Sequence, residues 1–100
     1  MPKECLAEKI LVVLGQKWVL NIIRTMELEG KKRFNEIQKE LKTISPRTLS
    51  KRLKELETMK LIDKKLFNEM PPRVEYSLTK RGKELVKCFK QLDDWVKKYN

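Results

Sequence analysis

Apolar residues recur at helical spacing through most of the chain. Leu6, Ile10 and Val13 predict a first helix from about Glu4 to Leu14, with Gly15 as its stop. A second helix is predicted from Trp18 to Glu29, with Trp18, Ile22 and Met26 on one face and Gly30 at its end. Phe34, Ile37 and Leu41 mark a short third helix, Phe34 to Leu41. After the connection Lys42-Thr43-Ile44, Ser45 as N-cap and Pro46 at the first helical position announce a fourth helix. It runs to about Met59 and buries Leu49, Leu53 and Leu56. The period then changes. Leu61 to Phe67 reads as a strand, and Arg73 to Leu78 as a second, with Val74, Tyr76 and Leu78 alternating onto one face. The intervening Asn68-Glu69-Met70-Pro71-Pro72 is too long for a two-residue turn. Thr79 is placed to cap a last helix carrying Leu85, Phe89, Leu92 and Val96.

Two short helices joined by a tight turn form a helix-turn-helix, and a hairpin directly after the second forms a wing. The expected fold is mainly α with a small β-hairpin, a winged helix-turn-helix occupying residues 1–100 as one domain.

Charge adds a direction. The 100 residues carry 24 Lys and Arg against 14 Asp and Glu, a net charge of +10. Residues 1–30 are neutral and residues 31–60 carry +6, so the excess centres on the helix-turn-helix. A basic surface selects anionic partners, nucleic acid or an acidic membrane. The longest apolar run, Ile10 to Leu14, is far shorter than a membrane span, and no helix combines a basic face with a clearly exposed apolar one, so double-stranded DNA is the expected partner rather than a membrane. The absence of His removes Ser-His-Asp and Cys-His catalysis. Two Cys without His fall short of a zinc site, and the isolated Gly15, Gly30 and Gly82 build no phosphate-binding loop. No enzyme, metal or cofactor is expected. Two widely separated Cys and no visible secretory signal point to a cytoplasmic protein.

On a helical wheel, Arg47, Lys51 and Lys54 lie opposite Leu49, Leu53 and Leu56, flanked by Thr48 and Ser50. A helix that enters a major groove needs this division. Its apolar face fixes it to the domain, and its outer face presents guanidinium, ammonium and hydroxyl groups to base edges. Ser45, Arg47, Thr48, Ser50, Lys51 and Lys54 are therefore the candidate recognition-helix residues. Lys32, Arg33, Lys64, Lys65 and Arg73 are candidate phosphate contacts, with Arg73 beside the stiff Pro71-Pro72 placed for a minor groove.

These residues also carry a family likeness. Gly15-Gln16-Lys17-Trp18, Arg33-Phe34-Asn35-Glu36-Ile37, Ile44-Ser45-Pro46-Arg47-Thr48-Leu49-Ser50, Leu53-Lys54-Glu55-Leu56-Glu57 and Pro71-Pro72-Arg73-Val74-Glu75-Tyr76-Ser77-Leu78-Thr79 resemble the HxlR-type winged helix-turn-helix regulators of the MarR-like group. The likeness spans nearly the whole chain. It implies a transcriptional regulator, a repressor in the simplest reading. It further implies a homodimer on a near-palindromic operator, dimerising through the N- and C-terminal helices. Candidate dimer residues are Cys5, Val12, Cys88, Leu92 and Trp95: Cys5 and Val12 lie off the Leu6–Ile10–Val13 face, and Cys88 and Trp95 widen the Leu85–Phe89–Leu92 face, which is more apolar surface than one thin domain buries. Two departures stand out: Cys5-Leu6 where the family usually has Cys-Pro, and Thr43 where it commonly has Gly.

Cys5 falls where several family members sense oxidants or electrophiles. A thiol in a first helical turn is activated by the dipole, and Lys9 helps while Glu4 and Glu8 oppose. The competing reading is a small apolar side chain at the dimer interface, and packing is the expected role of Cys88. The competing function is a winged-helix protein-interaction module, an antirepressor or polymerase accessory factor, which would carry apolar or acidic residues on the outer face of the fourth helix.

Overall fold

The two hydroxyls expected to start helices both do so in the computed structural model, which describes residues 7–99. Ser45 Oγ accepts from the Thr48 backbone N–H at 3.1 Å, and Pro46 occupies the first turn. Thr79 Oγ1 accepts from Gly82 N–H at 2.9 Å and donates to the Lys60 carbonyl at 2.6 Å. The elements are α1 (Glu8–Leu14), α2 (Val19–Glu29), β1 (Lys31–Arg33), α3 (Phe34–Leu41), α4 (Pro46–Thr58), β2 (Ile62–Phe67), β3 (Arg73–Leu78) and α5 (Lys80–Tyr99). Leu6, on the expected apolar face of the first helix, lies outside the described residues, as does Cys5.

The element absent from the sequence reading is β1. It completes a three-stranded antiparallel sheet in the order β1-β3-β2. Three residues, all Lys or Arg, show no alternation that would announce a strand, and the pairing Lys31↔Ser77, Lys32↔Tyr76, Arg33↔Glu75 is made with a segment over forty positions away. The strand follows Gly30, whose φ of +80° ends α2 in a region open to glycine at little cost.

The core joins α2, α3, α4 and the sheet. Val19, Ile22, Ile23 and Met26 come from α2, Ile37 from α3, and Leu49, Leu53 and Leu56 from α4. Leu61, Ile62, Tyr76 and Leu78 close it from the hairpin, and Phe89 from α5. Full burial of a leucine side chain is worth about 2 kcal/mol, so three of them on one helix fix the pose of α4. Burial also pushes the Tyr76 phenol above its ordinary pKa, and the Glu57 carboxylate adds to the shift.

The turn between α3 and α4 accommodates Thr43 without glycine. Lys42, at φ +60° and ψ −63°, forms a γ-turn in which Thr43 N–H reaches the Leu41 carbonyl at 2.6 Å. The positive φ falls on Lys42, so residue 43 has no need of glycine's freedom.

Beyond Phe89, every described residue of α5 is exposed, including Leu92, Trp95, Val96 and Tyr99. The radius of gyration is 15.1 Å, against about 13 Å for a compact chain of this length. A 20-residue helix is about 30 Å long, and the chain's own core meets only its first half.

Candidate nucleic-acid interface

The outer face of α4 is built by elimination. Leu49, Leu53 and Leu56 are buried, so the residues between them must face out. Arg47, Ser50, Lys51 and Lys54 are exposed and Thr48 is half-buried. Ser45 is spent partly on the cap, and its hydroxyl also donates to Thr48 Oγ1 at 2.9 Å. Among the described residues, none of Arg47, Lys51 and Lys54 has an ion-pair partner. Three cations at i, i+4 and i+7 thus stand in solvent along one helix, free to meet phosphate or base edges.

Arg52 is the α4 cation that serves the fold instead. Its Nη1 pairs with Glu55 at 3.0 Å, and its Nε donates to the Lys17 carbonyl at 3.1 Å. This ties α4 to the junction between α1 and α2. The same junction holds Trp18 at φ +81°, a left-handed conformation that a bulky side chain rarely adopts. Trp18 packs against the core there, and Lys17 Nζ lies 5.4 Å from its ring centre. The Gly15-Gln16-Lys17-Trp18 run thus has a structural role, as the seat on which α4 rests. Sequence reasoning missed Arg52, because a helical wheel places it at the border of the leucine face, away from Arg47, Lys51 and Lys54, and reveals nothing about the distant carbonyl it reaches.

The wing is β2, β3 and the loop 68–72. Lys64 and Lys65 are exposed on β2, with Lys65 Nζ 5.1 Å from the Phe67 ring centre. Met70 stands at the loop's apex, 97% exposed. Arg73 is not extended toward solvent as a minor-groove finger. Register sets it directly opposite Phe67, and its guanidinium lies 4.1 Å from that ring centre. Its Nη2 lies 3.3 Å from Glu69 Oε1, and its Nε 3.3 Å from Glu75 Oε2. The Nε geometry is that of an ion pair without an aligned hydrogen bond. The side chain is 27% exposed and braces the wing loop in this state.

Lys32 requires a correction. Its expected partner is phosphate, yet the structure buries it to 4% exposure with its ammonium paired to Glu40 of α3. The cause is β1: pairing opposite Tyr76 turns Lys32 to the buried side of the sheet. Arg33, one residue on, alternates outward and is exposed, and its backbone N–H donates to Glu36 Oε1 at 2.8 Å to start α3. Of the five expected phosphate contacts, Arg33, Lys64 and Lys65 are therefore on the surface. Cys88 is an exposed free thiol on α5 and takes no part in this chain's own core.

Among the described residues, no cluster of Asp, Glu and Cys is arranged to hold a metal, and no helix is long and apolar enough to cross a membrane. The arrangement of α3, α4 and the wing is shared with known proteins. A family model for HxlR-like helix-turn-helix proteins matches residues 13–100. An uncharacterised helix-turn-helix-type transcriptional regulator of Methanothermobacter thermautotrophicus is 38% identical, over 95% of this chain and 72% of its own length. The reduced form of the transcriptional regulator YodB from Bacillus subtilis superposes with a TM-score of 0.83 at 34% identity, over 93% of this chain and 91% of that one. The redox regulator HypR in its oxidised form gives a TM-score of 0.81 at 36% identity, over 94% and 96%. The chain belongs to the HxlR-like helix-turn-helix family and is a DNA-binding transcriptional regulator, not an enzyme.

Proposed function

We propose that the chain works as a cytoplasmic homodimeric repressor that sets its two α4 helices into successive major grooves of a near-palindromic operator, about 34 Å apart. The observation that carries this reading is the unpaired cationic face of Arg47, Lys51 and Lys54 on a helix whose other face is locked into the core. Arg47, nearest the N-terminal end of α4, reads a base edge. Lys51, Lys54, Arg33, Lys64 and Lys65 hold phosphates, and Ser45, Thr48 and Ser50 supply hydroxyls at the groove floor or the backbone. The outward apolar residues support the dimer. Leu11 and Val12 on α1, and Leu92, Trp95, Val96 and Tyr99 on α5, are all exposed, with Cys88 on the same helix. Together they exceed the scattered exposure normal for a monomer.

Redox control through Cys5 is part of the proposal. Its support is the family position of that thiol and the likeness to HypR, a redox regulator. Oxidation of Cys5 between subunits would alter the spacing of the two α4 helices across the dimer.

The test is fluorescence anisotropy of the reduced chain on its own upstream intergenic DNA and on a scrambled duplex of equal length, before and after a mild oxidant. Preference for the native duplex, lost on oxidation in the parent and retained in Cys5→Ser, is the expected result. An identical oxidant response in Cys5→Ser removes the sensing role. Equal affinity for both duplexes removes this DNA as the operator.

A further inference from the structure

Gln16, Lys17, Trp18 and Val19 form the tight turn between α1 and α2. Val19 N–H donates to the Gln16 carbonyl at 3.3 Å, and Trp18 sits at φ +81° and ψ −16°. The φ of Lys17 is not positive, so this is a type II turn with tryptophan at the position that favours glycine. A type I turn keeps the same closing hydrogen bond and places its third residue at a φ of about −90°, a value open to tryptophan. The two forms differ by the flip of one rigid peptide plane, that between Lys17 and Trp18. The less favoured form therefore needs an outside partner. Arg52 is that partner: its Nε donates to the Lys17 carbonyl at 3.1 Å, from a side chain only 16% exposed whose Nη1 is held by Glu55 at 3.0 Å. A flip of the peptide would turn that carbonyl away from α4. Trp18 packs against the core and Val19 is fully buried, so the chain on the α2 side stays in place while the peptide rotates.

We propose that Arg52 is a positioning residue for DNA recognition, which locks the Lys17–Trp18 peptide in its type II orientation and thereby holds α4 in its DNA-reading pose. Among the described residues, this bond is the one side-chain hydrogen bond between α4 and the segment that joins α1 to α2. Arg52 itself touches no DNA. It lies at the border of the leucine face, and its charge is spent on Glu55. Release of the bond relieves the strain at Trp18 and frees α4 at the same time, so the turn and the recognition helix change state as a pair. DNA that selects the held pose of α4 also selects the type II turn, and the coupling is reciprocal. The turn directly follows α1, so movement of α1 in the proposed dimer reaches α4 through the same peptide. The recognition clause rests on the proposed reading of α4, whereas the lock on the turn does not.

The experiment uses the full chain labelled with ¹³C and ¹⁵N. Arg52→Gln keeps a nitrogen donor at the position of Nε and removes the pair with Glu55. Arg52→Met keeps the length and removes the donor. Both lose the charge, so their difference isolates the bond to Lys17. Glu55→Gln removes the ion pair and keeps Arg52. The one-bond Cα–Hα coupling of Trp18 separates positive from negative φ. It should report a positive φ in the parent, Arg52→Gln and Glu55→Gln, and a negative φ in Arg52→Met. Affinity for the upstream intergenic duplex should fall about tenfold in Arg52→Met and return to within about threefold of the parent in Arg52→Gln. The slope of affinity against salt concentration should be unchanged in Arg52→Met, since no phosphate contact is lost. In the parent, the Arg52 Nε–H should exchange with water at least about tenfold more slowly than that of the exposed Arg47, a test that needs no variant to fold. Equal exchange at the two arginines overturns the bond. A positive φ at Trp18 in Arg52→Met overturns the lock. A flattened slope in Arg52→Met makes Arg52 a phosphate contact and overturns its positioning role, as does a flipped peptide with unaltered affinity. Equal affinity of the parent for the intergenic and a scrambled duplex, with the Trp18 coupling as expected, overturns the recognition clause and leaves the lock standing.

Discussion

On α4, Arg47 stands in solvent with no ion-pair partner among the described residues. On β3, the same side chain at Arg73 is held by Glu69 and Glu75 over the face of Phe67. The two arginines carry the same side chain and charge, and sequence alone points both of them at DNA. Their difference lies in the neighbours that the backbone brings within reach. A helix with one buried face leaves its outer cations about a turn apart with only each other for company. A hairpin sets cross-strand residues about 5 Å apart, so an arginine opposite a phenylalanine and beside two glutamates is captured. The helix offers charge, and the wing spends charge on its own shape.

The contrast depends on the hairpin holding its place against α4, and Gly82 is where that is broken most severely. A Cβ at Gly82 would lie 2.2 Å from the Leu61 carbonyl oxygen, the same atom that accepts from Thr79 N–H. Backbone on both sides leaves no flexible side chain to yield. Gly82→Ala is expected to destabilise the chain by about 3 kcal/mol, read as a lower urea midpoint at unchanged m-value. A midpoint equal to that of the parent would mean that α5 and the wing base shift freely, and the fixed relation between wing and helix would fall with it.

Arg47→Ala comes next in size. Loss of a base contact is expected to cost about 1–3 kcal/mol on the cognate duplex and much less on a scrambled one, by anisotropy at fixed salt. Equal loss on both duplexes would make Arg47 a phosphate contact, and α4 would then differ from the wing in exposure alone.

The helices are legible in the sequence because their evidence is local. The bounds of α3 and β3 agree with the sequence reading, and those of α4 differ by one residue at the end, since the cap at Ser45, the leucines of α4 and the alternation of Val74, Tyr76 and Leu78 all lie within a few positions of what they determine. What escapes is non-local. β1 exists because β3 is there to pair with it. Arg52 matters because of a carbonyl 35 positions earlier. Arg73 is captured because of strand register. A charged residue in a sequence declares its charge and leaves open what it faces.

Arg73→Ala sharpens the comparison at the wing. The substitution frees Glu69 and Glu75 and uncovers Phe67, so the loop 68–72 loses its brace. The expected stability cost is about 1 kcal/mol, since the pairs are partly solvated. Increased hydrogen exchange in the loop should accompany it, with sequence preference on DNA unchanged. A loss of preference for one base step flanking the operator core would show that Arg73 leaves its glutamates to enter a minor groove, and the two arginines would then be alike when bound.

Lys32 gives the smallest expected effect and the cleanest contrast with α4. Its ammonium is buried and paired with Glu40, whose own side chain is 42% exposed. Lys32→Met keeps the length and apolar stem of the side chain and leaves Glu40 able to turn to water. Replacing a buried charge with a methionine of similar length is close to neutral, within about 1 kcal/mol. Because Lys32 lies on the inward side of β1, affinity for DNA and the slope of affinity against salt concentration should both match the parent. Loss of a phosphate contact would instead flatten that slope by about one unit, as is expected for Lys64→Ala on the exposed strand. A flattened slope in Lys32→Met would mean that β1 separates from β3 when DNA binds, releasing a cation that the free protein keeps in its core.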